Sequence, residues 1–288
     1  MLIEKRLPPW LKVKMAGGPQ YIKLRNLIHD SDLHTVCEEA HCPNIGECWE
    51  LQTATFMILG DICTRACRYC AVTSGRPLGL DLQEASRLAA TVERLGLRYT
   101  VITSVNRDDL PDGGAEIFIQ CIKAIGKRLP HCKVEVLIPD FQGNWTALEN
   151  VVMAHPYVLN HNIETVRRVF GSVRPKGDYD QSLELLAKVK EFNPHMTTKS
   201  GIMVGLGENW QEVLETMQDL RSVSCDLLTI GQYLRPSPKH ATVERLYTPE
   251  EFDMLRKEGE ALGFKHVASG PLVRSSYHAE EQASAAQN

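Results

Sequence analysis

From residue 56 onward the chain alternates short apolar runs with longer helical patterns, and this rhythm limits the possible fold more than any other feature. The short runs lie at 56–60, 99–103, 134–138, 157–160, 201–204 and 227–230. Several are rich in Val and Ile and lack strict alternation, as strands buried on both faces do. Between them the apolar spacing predicts helices over 82–95, 115–128, 146–154, 179–191 and 210–221. A last helix should begin after Thr248, an N-cap residue, with Pro249 in the first turn and Glu250 and Glu251 behind it. Repeated strand–helix units join parallel strands through right-handed crossovers, which gives an open α/β sheet or a barrel. Six units fall short of the eight that close a barrel, so the expected fold class is α/β, a partial (β/α)6 TIM-like barrel.

Residues 1–55 do not share this rhythm and read as an N-terminal extension; 56–270 would be the barrel and 271–288 a C-terminal segment. The small, polar stretch 279–288 is expected to fray. The net charge of -4 lacks the basic excess of a nucleic-acid-binding domain. No apolar run approaches the roughly 18 residues of a membrane span. The basic start, residues 1–14, is broken by Pro8 and Pro9 and has no apolar core of a secretory signal. A soluble, cytoplasmic chain is expected, with neither nucleic acid nor membrane as partner. Without coiled-coil heptads it is expected to be a monomer.

Nine cysteines are many for such a chain, and in a reducing compartment clustered thiols point to metal or catalysis. Cys121, Cys132 and Cys225 are scattered and read as small buried apolar residues. Cys63, Cys67 and Cys70 form a Cys-x3-Cys-x2-Cys run directly after the first predicted strand. Three thiolates on one loop hold three irons of a 4Fe–4S cube and leave the fourth iron open to a ligand. A zinc knuckle is the alternative, but structural zinc takes four ligands and no fourth follows closely. Cys37, Cys42 and Cys48 form a second trio within the extension, with His41 adjacent as a fourth ligand or a surface residue.

The first trio, with Tyr69 just before its last cysteine, resembles the signature of the radical S-adenosylmethionine (SAM) superfamily. The stretch from His34 through Cys37, Cys42 and Cys48 to Trp49, and the run Arg274-Ser275-Ser276-Tyr277, resemble the motifs of the lipoyl synthase family. Residues 103–114, 160–165, 199–207 and 232–237 are similar to that family as well. The resemblance implies a barrel of the radical SAM type, with SAM and two 4Fe–4S clusters as cofactors. Cys63, Cys67 and Cys70 would hold the catalytic cluster, and Cys37, Cys42 and Cys48 an auxiliary one. The family's serine ligand falls on Ser275, with Ser276 the other choice; an oxygen ligand binds iron less softly than a thiolate and is the more easily lost. Tyr69, Gly113, Gly114, Asn162, Glu164 and Arg174 would contact SAM.

The implied reaction places two sulfur atoms, taken from the auxiliary cluster, at carbons 6 and 8 of a protein-bound octanoyl-lysine. Implied partners are octanoylated lipoyl carrier domains, namely E2 subunits of 2-oxoacid dehydrogenases and the glycine cleavage H protein. A ferredoxin- or flavodoxin-type reductant and an iron–sulfur carrier that rebuilds the auxiliary cluster complete the set. Two other readings stay open: a radical SAM enzyme whose second cluster relays electrons, and a zinc-stabilised binding module. Gly205-Leu206-Gly207 lacks the third glycine of a dinucleotide fingerprint, since Trp210 stands there. Neither a phosphate loop nor a nucleophile elbow is present.

Overall fold

The structure, a computed structural model, describes residues 8–13, 16–51 and 53–286 of the 288. Of the basic start, residues 1–7 and 14 lie outside the described residues. The extension carries helix α1 (Pro19–Asp30), strand β1 (His34–Thr35) and helices α2 (Val36–Glu39) and α3 (Ile45–Glu50). Strands and helices then alternate: β2 (Thr55–Ile58), α4 (Glu84–Leu95), β3 (Tyr99–Ser104), α5 (Ala115–Arg128) and β4 (Lys133–Leu137). Next come α6 (Trp145–Met153), β5 (Val158–Asn160), α7 (Arg167–Val173), α8 (Tyr179–Phe192) and β6 (Thr197–Val204). The chain ends with α9 (Trp210–Ser222), β7 (Leu227–Gln232), α10 (Pro249–Ala261), β8 (His266–Gly270) and α11 (Ala279–Ala285).

All strands belong to one sheet in chain order, β1 antiparallel to β2 and every later pair parallel. The two edge strands do not pair, so the barrel is partial and open. The six expected strands are present, with ends shifted by a few residues, and β2 and β7 are buried along their whole length. A seventh parallel strand, β8, is added; its sequence His-Val-Ala-Ser-Gly has too few branched residues to read as a strand. Capping explains two helix starts: Asn209 with Glu212, and Thr248 with Glu251, each form reciprocal capping boxes. Cys121 and Cys225 are fully buried as expected, whereas Cys132 is half-buried.

The tail departs from expectation. Instead of fraying it forms α11, whose Ala283 packs with Val158 and Leu227 against the inner side of the sheet. Small residues allow this close approach, and only residues 287–288 of the tail lie outside the described part.

The two ends of the chain meet across the gap in the sheet. Asn44 Nδ2 donates to the Leu272 carbonyl (2.7 Å), Thr55 Oγ1 to Ser276 Oγ (2.7 Å), and Tyr277 OH to Glu47 Oε1 (3.0 Å). The C-terminal segment can cross here because Gly231 of β7 lacks a side chain; a Cβ there would stand 2.1 Å from the Val273 carbonyl oxygen.

The interior of the sheet carries a buried polar group. Lys199 Nζ lies 3.0 Å from Glu135 Oε1, both side chains 0% exposed, and Tyr99 OH donates to Glu135 Oε2 at 2.6 Å. Breaking such a pair leaves one charge unmatched in a medium that solvates it poorly. Lys199→Met should therefore destabilise the fold by about 3–5 kcal/mol in urea denaturation. Adding Glu135→Gln to it should recover much of the loss; a double variant as unstable as the single one would show that the pair is not the cause.

Candidate functional site

The Cys63–Cys70 loop leaves the C-terminal end of β2, the end at which barrel enzymes assemble their sites. Its first residue is tied to the chain ahead by backbone bonds, Cys63 N to Thr73 O (2.8 Å) and Gly75 N to Cys63 O (2.9 Å). The Cys63 sulfur accepts from the backbone N–H groups of Arg65 (3.4 Å) and Asn106 (3.3 Å). Donors aimed at a cysteine sulfur are among the features that tune iron–sulfur sites.

Arg65 pins the loop. Its guanidinium makes a two-pronged contact with Asp108 (2.8 and 2.9 Å) and another with Asp140 (2.5 and 2.6 Å). Those carboxylates follow β3 and β4. Burial alone would lift Asp140, but the hydrogen bonds and charge of Arg65 outweigh it and hold the group down to about 2. Two further contacts secure the other end of the loop: Arg68 N donates to Val173 O (2.8 Å), and the His240 ring meets the Cys70 carbonyl (3.0 Å).

Beside the loop lies a cavity of about 480 Å³. Cys63, Cys67 and Cys70 line it together with Tyr69, Asn162, Glu164 and Arg174, so these predicted contact residues share one space. Arg174 is buried and donates to the Asn162 carbonyl (3.2 Å). Burial disfavours its charge, but Tyr69, Glu164 and Asp140 reverse the balance and raise its pKa. Glu164 has a φ of +70°, strained for a residue with a side chain, and burial raises its pKa despite Arg174.

Four buried polar atoms of cavity-lining residues find no partner among the described residues: Ser104 Oγ, Asn106 Oδ1, His161 Nε2 and Asn162 Oδ1. His161 Nδ1 bonds the Ile138 carbonyl (2.9 Å), which makes Nε2 the acceptor nitrogen. Burial, aided by the Arg174 charge, holds His161 down to about 4 and hence neutral. Three acceptors and a hydroxyl suit a ligand rich in donors, such as the ammonium and ribose hydroxyls of SAM, with Arg174 available to a carboxylate. Gly113 and Gly114 do not line this cavity. Their left-handed backbone starts α5, and a Cβ on Gly114 would meet Leu59 at 2.3 Å, so close packing accounts for the glycine. Ser104, which ends β3, and Asn106, two residues beyond it, do line the cavity.

Cys37 and Cys42 line the same cavity from its other side. Together with Cys48 they also line a second cavity of about 260 Å³. Burial pushes the Cys37 thiol up to about 12 and the Cys48 thiol up to about 11, and the charge on Cys42 adds to both. Among the described residues no group of cysteine, histidine or carboxylate side chains converges on a single metal ion; the three thiols instead frame a cavity, where a cluster would bind them as thiolates. Ser276 shares the second cavity with all three, while the Ser275 hydroxyl accepts from Asn162 Nδ2 (2.8 Å) on the larger-cavity side. His41 faces the larger cavity and is exposed. Sequence reasoning missed Asp140, His161 and Arg65; only Arg65, enclosed by the cysteine run, carried a signal.

A model of the radical SAM superfamily matches residues 57–220, and one of the N-terminal domain of lipoyl synthase matches residues 3–42. The lipoyl synthase of Symbiobacterium thermophilum is 58% identical over 98% of this chain and 88% of its own length. That of Caldanaerobacter subterraneus subsp. tengcongensis is 56% identical over 96% of each. The chain belongs to the lipoyl synthase family. Membership makes it a radical SAM enzyme that uses SAM and 4Fe–4S clusters and acts on lipoyl carrier proteins. The fold agrees: the FeFe-hydrogenase maturase HydG of Carboxydothermus hydrogenoformans superposes with a TM-score of 0.58 at 14% identity, covering 81% of this chain and 65% of that one. Methylornithine synthase superposes with a TM-score of 0.56 at 13% identity, covering 70% and 61%.

Arg65→Met should leave Asp140 buried without its partner, at a cost of about 3–5 kcal/mol. Because Asp140 sits below its ordinary 3.8, its contribution is present above about pH 4 and is lost as pH falls toward 2. Acid titration of stability should therefore show the low-pH loss in the parent and a flatter profile in the variant. Iron analysis after anaerobic reconstitution should show less metal retained by the loosened loop.

Proposed function

We propose that the two cysteine trios divide one reaction across the larger cavity, with Cys63, Cys67 and Cys70 holding the cluster that engages SAM and Cys37, Cys42 and Cys48 holding the sulfur donor. The observation that carries this reading is the shared cavity: cysteines of both trios line it, with the apolar side chains of Met57, Leu137 and Met203 among its walls. When bound, the clusters supply the electron that cleaves SAM to an adenosyl radical and the sulfur that replaces hydrogen at carbons 6 and 8 of an octanoyl-lysine chain.

The chain's own residues bind and orient. Arg174 meets the carboxylate of SAM, while His161, Asn106 and Asn162 accept from its ammonium and hydroxyls; Tyr69 and Glu164 border the same space. Met57, Leu137 and Met203 offer an apolar wall to the acyl chain and exclude water from it. Ser276 is the oxygen ligand that the geometry favours, because it shares a cavity with all three cysteines of the auxiliary trio.

The same reading assigns residues 1–55 to the auxiliary site, 56–270 to the barrel, and 271–288 to a segment that closes the gap. Octanoylated carrier domains of 2-oxoacid dehydrogenase E2 subunits and the glycine cleavage H protein are the proposed substrates. A ferredoxin- or flavodoxin-type protein would supply electrons, and an iron–sulfur carrier would rebuild the spent site. Among the described residues no helix is long and apolar enough to cross a membrane. A monomer acting in the cytoplasm completes the proposal.

Anaerobic incubation with SAM, a strong reductant and an octanoyl-lysine peptide should yield a peptide that has gained two sulfurs, with no net change in hydrogen as the dithiol and two hydrogens fewer once oxidised to the disulfide, read by mass spectrometry. Cys37→Ala should abolish the sulfur gain and still release 5′-deoxyadenosine; lipoyl product from that variant would sink the assignment. Ser276→Ala should lower the iron content of the auxiliary site more than Ser275→Ala does, and the reverse order would return the ligand role to Ser275.

A further inference from the structure

Two hydrogen-bond donors stand beside the auxiliary trio with nothing of their own to bind. The first is Trp49, which follows Cys48 in α3 and is fully buried, its ring packed on Tyr21 with 5.0 Å between centroids. Its Nε1 finds no hydrogen-bond partner among the described residues. It nonetheless acts on Cys37: burial and the charge on Cys42 raise that thiol, while the Thr55 backbone and the Trp49 indole pull it back. A neutral thiol is a weak acceptor, and a thiolate is a strong one. The indole N–H is thus placed for a Cys37 sulfur that carries charge.

The second donor is Arg274, from the other end of the chain. Its side chain lines both cavities, as Cys37 and Cys42 do. Three other buried arginines each have a carboxylate: Arg65 has Asp108 and Asp140, Arg107 has Asp109 (2.8 Å), and Arg174 has Asp140 (3.6 Å). Among the described residues Arg274 has none, and its hydrogen bond runs only to the Val273 carbonyl (2.7 Å). The guanidinium is packed against β7, where a Cβ on Gly231 would stand 3.2 Å from its Nη1. Burial disfavours its charge, and the Cys42 thiol is the group that counters this. The effect is mutual: burial raises Cys42, and the Asn44 backbone and the Arg274 charge pull it back. A cation taken from water without an anion beside it is costly, so the missing anion belongs in the cavity.

We propose that Trp49 and Arg274 are the charge partners of the auxiliary cluster, the indole N–H at the Cys37 sulfur and the guanidinium on the Cys42 side, and that together they raise its reduction potential. The inference rests on the assignment of an iron–sulfur cluster to this trio and adds what the surrounding protein does to it. A 4Fe–4S core held by three thiolates and one anionic oxygen is net negative, so a nearby cation and a hydrogen bond to sulfur both favour an added electron. Sulfur donation supplies that electron. A carbon radical brings one electron to the new carbon–sulfur bond and the sulfide brings two; the bond keeps two, and the third reduces an iron. Trp49 and Arg274 are positioning residues that favour this transfer by stabilising the reduced state.

The test uses the full chain with Cys63, Cys67 and Cys70 replaced by Ala, so that a cluster forms at the auxiliary trio alone. After anaerobic reconstitution, iron and sulfide are counted per chain, and the paramagnetic signal of the reduced cluster is followed against solution potential. Arg274→Gln should lower the potential, so that the reduced-to-oxidised ratio at the parent's midpoint falls by about ten-fold. Trp49→Phe keeps the ring, loses the N–H and should lower that ratio by about three-fold. Arg274→Lys retains the charge and should recover most of the loss. A purely structural role would reduce the iron content and leave the midpoint of the remaining clusters where it was. Loaded variants whose midpoints match the parent's overturn the proposal; should Arg274→Gln hold no cluster, Trp49→Phe decides by the same criterion. If the parent of this series takes up no iron and sulfide, the auxiliary-site assignment itself fails and the inference falls with it.

Discussion

The site depends first on one guanidinium. Arg65 lies between the first two cysteines of the barrel trio, and both of its faces are taken by carboxylates that follow different strands, Asp108 after β3 and Asp140 after β4. An arginine so held cannot move unless a buried carboxylate loses its partner. The cysteine loop thereby takes its position from the sheet instead of from its own flexible backbone. The same carboxylate reaches onward: Asp140 stands 3.6 Å from the Arg174 guanidinium, which in turn donates to the Asn162 carbonyl. One charge chain thus runs from the cysteine loop to the residues placed around SAM.

An open barrel poses a second constraint, because its two edge strands leave a gap into the interior. Here the chain's own ends fill it. Asn44, Glu47 and Thr55 come from one end and Leu272, Ser276 and Tyr277 from the other, and each contact joins residues more than two hundred positions apart. Among the described residues the extension adds a single strand to the sheet, the two-residue β1 paired with β2. Closing the gap also brings the second trio against the first. Packing and placement of chemistry are therefore the same event in this fold.

Much of the barrel was legible because parallel strands buried on both faces leave a strong local trace, as in β3 and β7. β8 left none: its residues are small or polar, and it is a strand through pairing with β7. The tail misled for a similar reason, since alanines that look featureless in sequence are what let α11 approach the sheet. At the site, the cysteines were legible through spacing, but Asp140 and His161 were not, because each gains its role from a partner distant in sequence. The glycines after β3 carry a structural reason of their own. Their conformation is required by the start of α5 and by the nearness of Leu59, and a ligand need not be invoked.

The choice between the two serines follows from a turn. Tyr277 N donates to the Arg274 carbonyl (3.0 Å), so Ser275 and Ser276 are the central residues of that turn and their hydroxyls find different partners. Ser275 accepts from Asn162 and lines only the larger cavity, whereas Ser276 accepts from Thr55 and lines both. On the proposed reading a hydroxyl that serves the auxiliary trio lies where all three thiols are found, and of the two serines only Ser276 lines that smaller cavity. Ser275 then has a separate part: by accepting from the Asn162 amide it leaves that residue's Oδ1 free to face a ligand. The two neighbouring serines of one short motif thus differ in reach, Ser275 lining only the larger cavity and Ser276 both.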